Sequence, residues 1–262
     1  MSDTHGPAHQ RNLLSTGFDG DDGTADPALI EVLAAARRDE AAVYPAYAAL
    51  SGRRVLVPVV AVLGESETAE TLGPDGKPLR RDKDSDMAVI TLVAGDGVKA
   101  LPAFTSVQAL SEWGAKAGYP QARPIPVTIE TAAAATLQEN AAVLLLDLGG
   151  PGQFEISGSA LRAFAQQRKP LPPSVDPEVV DAIKRALAGV PEIARVLDDA
   201  RLGQAAEDVT VLALGFVPGT DPAGLAEPLQ RVATAISEDE LLRDRLSGGL
   251  QIVMAPDPAS GS

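Results

Sequence analysis

Residues 101–113 read LPAFTSVQALSEW, and they decide how this part of the chain folds. The stretch opens as an apolar strand, and Thr105 or Ser106 can then accept hydrogen bonds from the free N–H groups in the first turn of a helix. Trp113, the only tryptophan of the chain, lies on the helix face beneath which Phe104 can pack. The stretch therefore predicts a strand that runs directly into a helix, in which Thr105→Ala costs ~1 kcal/mol as a lost cap.

Two apolar runs before this junction predict strands. Residues 54–63 form a nearly continuous β-branched run, the pattern of a strand covered on both faces, although Pro58 indicates that one of its edges is unpaired or bulged. Residues 87–94 predict a second strand, and a turn at residues 96–97 joins it to residues 98–104 as a hairpin. The junction therefore lies where a hairpin runs into a helix.

The remaining sequence continues this mixture of helices and strands. Helices are predicted where capping or proline signals precede apolar residues at helical spacing; one begins at Pro27, and the others span residues 39–50, 131–140, 159–167, 177–188, 221–236 and 238–246. Strands are predicted at residues 141–148, 153–157, 208–217 and 250–254, with an edge strand or connector at residues 123–128, while residues 192–202 fit either state. The pattern is that of an α/β (α+β) protein, with a mixed β-sheet flanked by helices and then a smaller α+β domain.

Composition divides the chain into two folded parts with tails. Residues 1–25 are rich in Ser, Thr, Asp and Gly and are predicted to be a disordered tail, and residues 257–262 a second one. Three prolines mark residues 169–175 as a linker. We therefore expect an N-terminal α/β domain at residues 26–168 and a C-terminal α+β domain at residues 176–256.

The chain is strongly acidic, with 22 Lys and Arg against 36 Asp and Glu and a net charge of −14. Such a charge repels phosphate backbones and anionic lipid surfaces, and the 3% aromatic content leaves few rings on which bases could stack. Nucleic acid and membrane are therefore not expected as partners. Residues 171–262 hold 15 of the acidic and 7 of the basic groups; this excess favours a solubility feature, with a surface for a basic protein partner as the alternative.

The chain has no cysteine, which excludes disulfides, thiolate metal sites and cysteine nucleophiles. The N-terminal residues lack the apolar stretch of a signal peptide, and the longest apolar runs are far shorter than the ~20 residues of a membrane span. We therefore expect a cytoplasmic protein, and the sequence leaves its oligomeric state open.

Few residues are able to support catalysis or metal binding. His5 and His9 are the only histidines, and both lie in the predicted tail, so the predicted domains contain no imidazole for a general base or a metal ligand. The acids of residues 82–86 resemble the start of a calcium loop but lack its glycine and its final glutamate. The glycines of residues 149–152 lead into a strand and not into a helix, which favours a hairpin turn over a phosphate-binding loop. We therefore predict no catalytic residue, no metal and no cofactor.

Several short segments occur in a fixed order along the chain: GFDGDDGTADP at residues 17–27, RVLVPV at 54–59, KDSDMA at 83–88, LPAFTS at 101–106, Trp113 and RPIPV at 123–127. In this order they resemble the SseB-like proteins of actinobacteria. The resemblance covers residues 17–168 as the SseB N-terminal domain and, more faintly, residues 174–255 as the SseB C-terminal domain. It implies no reaction, cofactor or catalytic residue, so the family supplies no site residues.

Three functional hypotheses follow from these observations. The leading one is a non-enzymatic binding or regulatory protein whose strands offer an edge to a protein partner. Its predicted binding residues surround the junction: Lys83, Asp84, Asp86, Phe104, Thr105, Ser106, Trp113 and Arg123. The second is an enzyme or a small-molecule sensor that uses carboxylates, hydroxyls and arginines, with Arg54, Arg81 and Arg123 as anion clamps. The resemblance to the SseB family implies that its ligand is related to amino acids. The third is a secretion-associated accessory role.

Overall fold

The structure is a computed structural model of the chain, and it describes residues 18, 21–62, 86–204, 209–221 and 223–255. These ranges leave out residues 257–262, most of residues 1–25, both histidines and the acids at positions 82 and 84. Of the predicted N-terminal tail, residues 18 and 21–25 are described. The N-terminal part contains, in chain order, α1 (Pro27–Ala36), α2 (Val43–Leu50), β1 (Arg54–Val62), β2 (Asp86–Val89), β3 (Leu92–Val93), β4 (Lys99–Ala103), α3 (Val107–Ala117), β5 (Arg123–Thr128), α4 (Ile129–Gln138), β6 (Val143–Leu146), β7 (Phe154–Ser157) and α5 (Gly158–Ala165). The C-terminal part contains α6 (Pro177–Ala188), α7 (Pro191–Val196), β8 (Leu197–Gln204), β9 (Thr210–Phe216), α8 (Ala226–Glu238), α9 (Glu240–Arg245) and β10 (Leu250–Met254).

Local sequence signals set the ends of the helices. Asp26 caps α1, since its Oδ1 accepts a hydrogen bond from the Ala28 N–H at 2.9 Å and Pro27 occupies the first helical position. Gly118 ends α3 with φ +84°, a left-handed conformation that glycine adopts without steric cost. The first of these signals confirms the predicted start of the first helix at Pro27.

The N-terminal part contains two sheets. Strand β1 is central in an antiparallel sheet of order β2-β1-β5, and the other sheet has the order β3-β4-β6-β7, in which β4 and β6 are parallel. A bridge between Leu56 and Phe104 joins β1 to the residue that follows β4. The core packs between these strands and α1, α2, α4 and α5; its fully buried side chains include Leu33, Leu50, Leu101, Ile129, Leu144, Leu146 and Phe164.

The C-terminal part has its own sheet, of order β10-β9-β8, with β10 parallel and β8 antiparallel to β9. Leu212 and Leu214 of β9 are fully buried and belong to a cluster with side chains of α6, α8 and α9. This cluster shares no residue with the two clusters of the N-terminal part. Helices combined with mixed and antiparallel sheets confirm the predicted α/β (α+β) class.

Residues 87–94 do not form the single strand that their pattern predicts. Strand β2 pairs with β1, whereas β3 pairs with β4, so the segment changes from one sheet to the other between Val89 and Leu92. Ile90 lies between them and is 4% exposed, in a cluster with Phe104 and Trp113. Because the buried side chain at this bend is apolar, the apolar pattern continues through it. The sequence therefore gives no sign that one strand ends and another begins. The hairpin from β3 to β4 is confirmed.

Residues 192–202 contain both of the states that their sequence left open, because α7 ends at Val196 and β8 begins at Leu197. Pro58 does not lie on an edge strand, since β1 has neighbours on both sides. Leu56 exchanges both backbone hydrogen bonds with Phe104, and the Pro58 carbonyl accepts from the Ile90 N–H on the same side. The missing N–H of Pro58 therefore faces the place where the neighbour of β1 changes from Phe104 to β2.

Candidate functional site

The junction between β4 and α3 is built by side chains that act locally. Ser106 has extended backbone dihedral angles, φ −142° and ψ 157°, and its hydroxyl accepts a hydrogen bond from the Ala109 N–H at 3.1 Å. Ser106 is therefore the cap of α3, which is one of the two alternatives that the sequence left open. Thr105 does not cap the helix, so the predicted loss of a cap in Thr105→Ala is wrong.

Thr105 instead binds Asp147, the residue that follows β6. The Thr105 N–H donates to one carboxylate oxygen of Asp147 at 2.8 Å, and the Thr105 hydroxyl donates to the other at 2.7 Å. Because β4 and β6 are parallel, the residues after their carboxyl ends lie side by side, and this brings together two residues that are 42 positions apart. The pair therefore fixes the two strand ends to each other.

Asp147 is a buried acid in a constrained position. Its side chain is 2% exposed, and its backbone has φ +44°, which is uncommon for a residue other than glycine, although aspartate and asparagine tolerate it best. Burial raises the pKa of Asp147 above its ordinary value, while the hydrogen bonds from Thr105 act in the opposite direction. A Cβ added at Gly152 would lie 2.7 Å from the Asp147 carboxylate, so the turn after β6 needs glycine there. Sequence reasoning missed Asp147; the acid directly after the apolar run of residues 141–146 was the available signal.

Arg54, at the start of β1, connects the junction to the segment before α1. Its guanidinium donates to the Thr105 carbonyl at 2.7 Å and to the Thr24 carbonyl at 2.8 Å, and it forms an ion pair with Asp21. The Arg54 side chain is 13% exposed. The guanidinium of Arg54, which the sequence suggested as an anion clamp, is therefore already bound by groups of the protein itself.

The aromatic contact that the sequence predicted is confirmed. The Phe104 and Trp113 rings lie with their centroids 5.1 Å apart, and the Tyr119 ring stacks on Trp113 with a centroid distance of 5.7 Å. Phe104 is fully buried and Trp113 is 7% exposed. The three rings form the centre of a small core beneath α3.

The structure brings together only part of the predicted binding set. Phe104, Thr105, Ser106 and Trp113 share the junction, where all four are buried. Arg123 is exposed at the start of the edge strand β5. Lys83, Asp84 and Arg81 lie outside the described residues, and of Asp86 only the backbone is described, paired with Val62 of β1. The junction residues are therefore packed against one another and expose little surface.

Two general kinds of feature are absent from the described residues. No three acidic or imidazole side chains lie close enough together there to hold a metal ion. Within the same residues, no helix combines the length and the apolar character needed to cross a bilayer.

Two clefts beside Ser159 and Arg245 have about 20 Å³ each, which is room for about one water molecule.

A larger concave surface lies in the C-terminal part, between α8, α9 and β10, and we call it the β10 groove. It has a volume of about 380 Å³ and a mainly apolar lining. Its walls include Ala233, Ile236, Leu242, Arg243, Leu250 and Ile252. Pockets of this size and character accept apolar side chains or small ligands.

The backbone of β10 runs along the open side of this groove. Gly249 accepts a hydrogen bond from β9 through its carbonyl, and the Ala255 N–H donates to β9. Because backbone groups alternate in direction along a strand, the N–H and C=O groups of Leu250, Ile252 and Met254 point away from β9. The order of the sheet places no described strand on that side. The edge of β10 and the β10 groove therefore form one surface.

The comparison with known families bears on the N-terminal part. The model of the SseB protein N-terminal domain matches residues 29–163, which is more than half of the chain. The chain belongs to the SseB family. No curated protein and no solved structure matches it.

The SseB match contains most of the junction network. Arg54, Thr105, Ser106 and Asp147 all lie inside the matched residues, so the hydrogen bonds that join β1, β4 and β6 belong to the SseB N-terminal domain. The β10 groove lies beyond the match, in the part whose likeness to the SseB C-terminal domain stays a prediction.

Proposed function

We propose that this SseB-family protein is a non-enzymatic binding protein that takes up an extended peptide segment of a partner protein beside β10. The observation that supports the proposal is the outward-pointing backbone of Leu250, Ile252 and Met254 next to the β10 groove. Three N–H and three C=O groups are available there for a strand added to the sheet.

The side chains of β10 support the same mode of binding. Leu250, Ile252 and Met254 align with Thr210, Leu212 and Leu214 of β9, so they face the helices, but Met254 is 46% exposed. Alternate residues of an added strand would face the helices as well, because side chains alternate between the two faces of a sheet. Backbone pairing would supply affinity, and the groove would select the alternate side chains.

The chemistry of the junction supports a role without catalysis. The carboxylate of Asp147 is buried, and burial raises its pKa. Buried acids with a raised pKa are candidates for acid–base catalysis. Both of its oxygens accept hydrogen bonds from Thr105, and its side chain is 2% exposed. A substrate would have to displace these contacts in order to reach the carboxylate.

Peptide selection against the full chain tests the proposal. Selected peptides should share apolar residues at alternate positions, and their affinity for two matched variants should differ. Ala233→Phe fills the β10 groove and should abolish binding, whereas Ala235→Phe makes the same change at an exposed position of the same helix and should leave binding unchanged. Equal binding to both variants, or no enriched peptide, would contradict the proposal.

A further inference from the structure

We infer that the segment bound beside β10 is acidic, with two apolar residues at alternate positions and, at the next alternate position on one side of them, a carboxylate side chain that pairs with Arg243. The inference rests on the proposed function and adds the chemistry of the partner. It starts from Arg243 of α9, which is exposed and lines the β10 groove. The Arg243 guanidinium forms no hydrogen bond and no ion pair with any residue in the described part of the chain.

Three of the charged neighbours of Arg243 on α9 have other partners. Asp244 accepts a hydrogen bond from Arg162 at 2.6 Å, and Arg245 pairs with Asp176. Asp239, one helical turn before Arg243, caps α9 by accepting from the Leu242 N–H at 3.0 Å. Glu240, three residues before Arg243, is exposed and forms no ion pair with it. Arg243 is therefore an unpaired cation within the described part of the chain, and it lines an apolar groove in an acidic protein. A carboxylate on the bound segment would supply that counter-charge.

The register of an added strand relates this charge to a sequence pattern. Residues directly opposite Leu250 and Ile252 would have side chains on the helix face of the sheet, where the groove lies. Arg243 lines the same face, so its partner must also come from an alternate position of the segment. The pattern is therefore two apolar residues separated by one residue, with an acid two positions before or two positions after the pair.

This pattern distinguishes a foreign segment from a second copy of the chain. The β10 strand of a second copy would present Leu250, Ile252 and Met254 at alternate positions. The flanking alternate positions, Gly248 and Pro256, have no charge either. A second copy would fill the groove but would leave Arg243 unpaired, so the acidic segment satisfies the site more completely.

Binding of one synthetic peptide and two relatives to the full chain tests the inference. The parent peptide is Ser-Glu-Thr-Leu-Thr-Ile-Thr-Glu-Ser, which presents an acid on both sides of the apolar pair and so serves either strand direction. The first relative has lysine in place of both glutamates, and the second is methylated at the backbone amides between the apolar residues. The protein variants are Arg243→Glu and, as a matched control, Arg185→Glu, which makes the same charge change at an exposed position outside the groove. Affinities are measured by fluorescence anisotropy at low salt.

The parent peptide should bind the wild-type chain, and Arg243→Glu should lower its affinity about fivefold, the upper range for an exposed ion pair. The lysine peptide should bind Arg243→Glu more tightly than the wild-type chain by a similar factor. Arg185→Glu should not change the preference between the two peptides. If parent and lysine peptides bind equally to every variant, the acidic partner is wrong and strand addition stands. If the methylated peptide binds as tightly as the parent, strand addition itself is wrong. Dimerisation of the chain that Ala233→Phe abolishes would show that a second copy occupies the groove, and would overturn the inference.

Discussion

Loss of the contact between Thr105 and Asp147 should destabilise the junction. Asp147→Ala would leave the Thr105 N–H and hydroxyl, which now donate at 2.8 and 2.7 Å, without acceptors in a site where Thr105 is 3% exposed. A buried donor that loses its partner costs about 1–3 kcal/mol, so we expect a loss of about 2–5 kcal/mol in the free energy of unfolding. Alanine also tolerates the left-handed backbone at this position less well than aspartate does.

Asp147→Asn is the matched control for this change. The asparagine oxygen can accept from the Thr105 N–H, its amide can donate to the Thr105 hydroxyl, and asparagine adopts the left-handed backbone readily. We therefore expect this variant to lie within about 1 kcal/mol of the wild type at pH 7. Urea denaturation followed by Trp113 fluorescence measures both values, because the only tryptophan lies beside this junction.

The pH dependence of the same two proteins gives a second test. Burial raises the pKa of Asp147 in the folded protein, so the folded chain holds this proton more tightly than the unfolded chain does. The stability that this group contributes is complete below its ordinary value of 3.8 and is lost as pH rises through the folded pKa. Asp147→Asn should therefore gain stability relative to the wild type between pH 4 and pH 7. A constant difference across this range, or an Asp147→Ala cost below 1 kcal/mol, would refute the reasoning.

Two further predictions concern the cap and the contact between the two parts of the chain. Ser106→Ala should lower the free energy of unfolding by ~1 kcal/mol because α3 loses its N-cap, whereas Ser106→Asp should keep most of the wild-type stability. Equal free energies of unfolding for the two variants in urea denaturation would contradict this prediction. Asp244→Asn should cost about 1 kcal/mol at low salt and less at high salt, because Asp244 pairs with Arg162 and Arg168 in a partly exposed site; a cost that salt leaves unchanged in thermal denaturation would argue against an ionic contribution.

The sequence predicts those parts of the site that depend on neighbours along the chain. The cap of α3 and the packing of Phe104 on Trp113 both depend on residues within one strand and the helix that follows it. The sequence predicts the aromatic contact with the correct residues, and it narrows the cap to Thr105 or Ser106. The role of Thr105 cannot be predicted in this way, because its partner Asp147 is 42 positions away and the contact depends on the parallel pairing of β4 with β6. Helical caps are local, whereas contacts between strand ends require the sheet order.

The same distinction explains why the β10 groove is absent from the sequence-based expectations. The strand at residues 250–254 is predicted with the bounds that the structure has, because its apolar pattern is local. Its place at the edge of the sheet depends on pairing with β9, and the groove depends on how α8 and α9 pack beside it. The sequence does not show that Arg243 is unpaired, because that depends on which residues pair with its neighbours. Asp244 pairs with Arg162, and Arg245 pairs with Asp176, both of which are distant along the chain.

Hydrogen exchange of the β10 amides tests the proposed strand addition most directly. In the free protein, the N–H groups of Leu250, Ile252 and Met254 point away from β9 and should exchange rapidly, while those of Gln251 and Val253 face β9 and should be protected. Addition of the parent peptide should slow exchange at the first three residues by at least tenfold and change the other two little. Binding of the peptide without protection of these three amides would contradict the account.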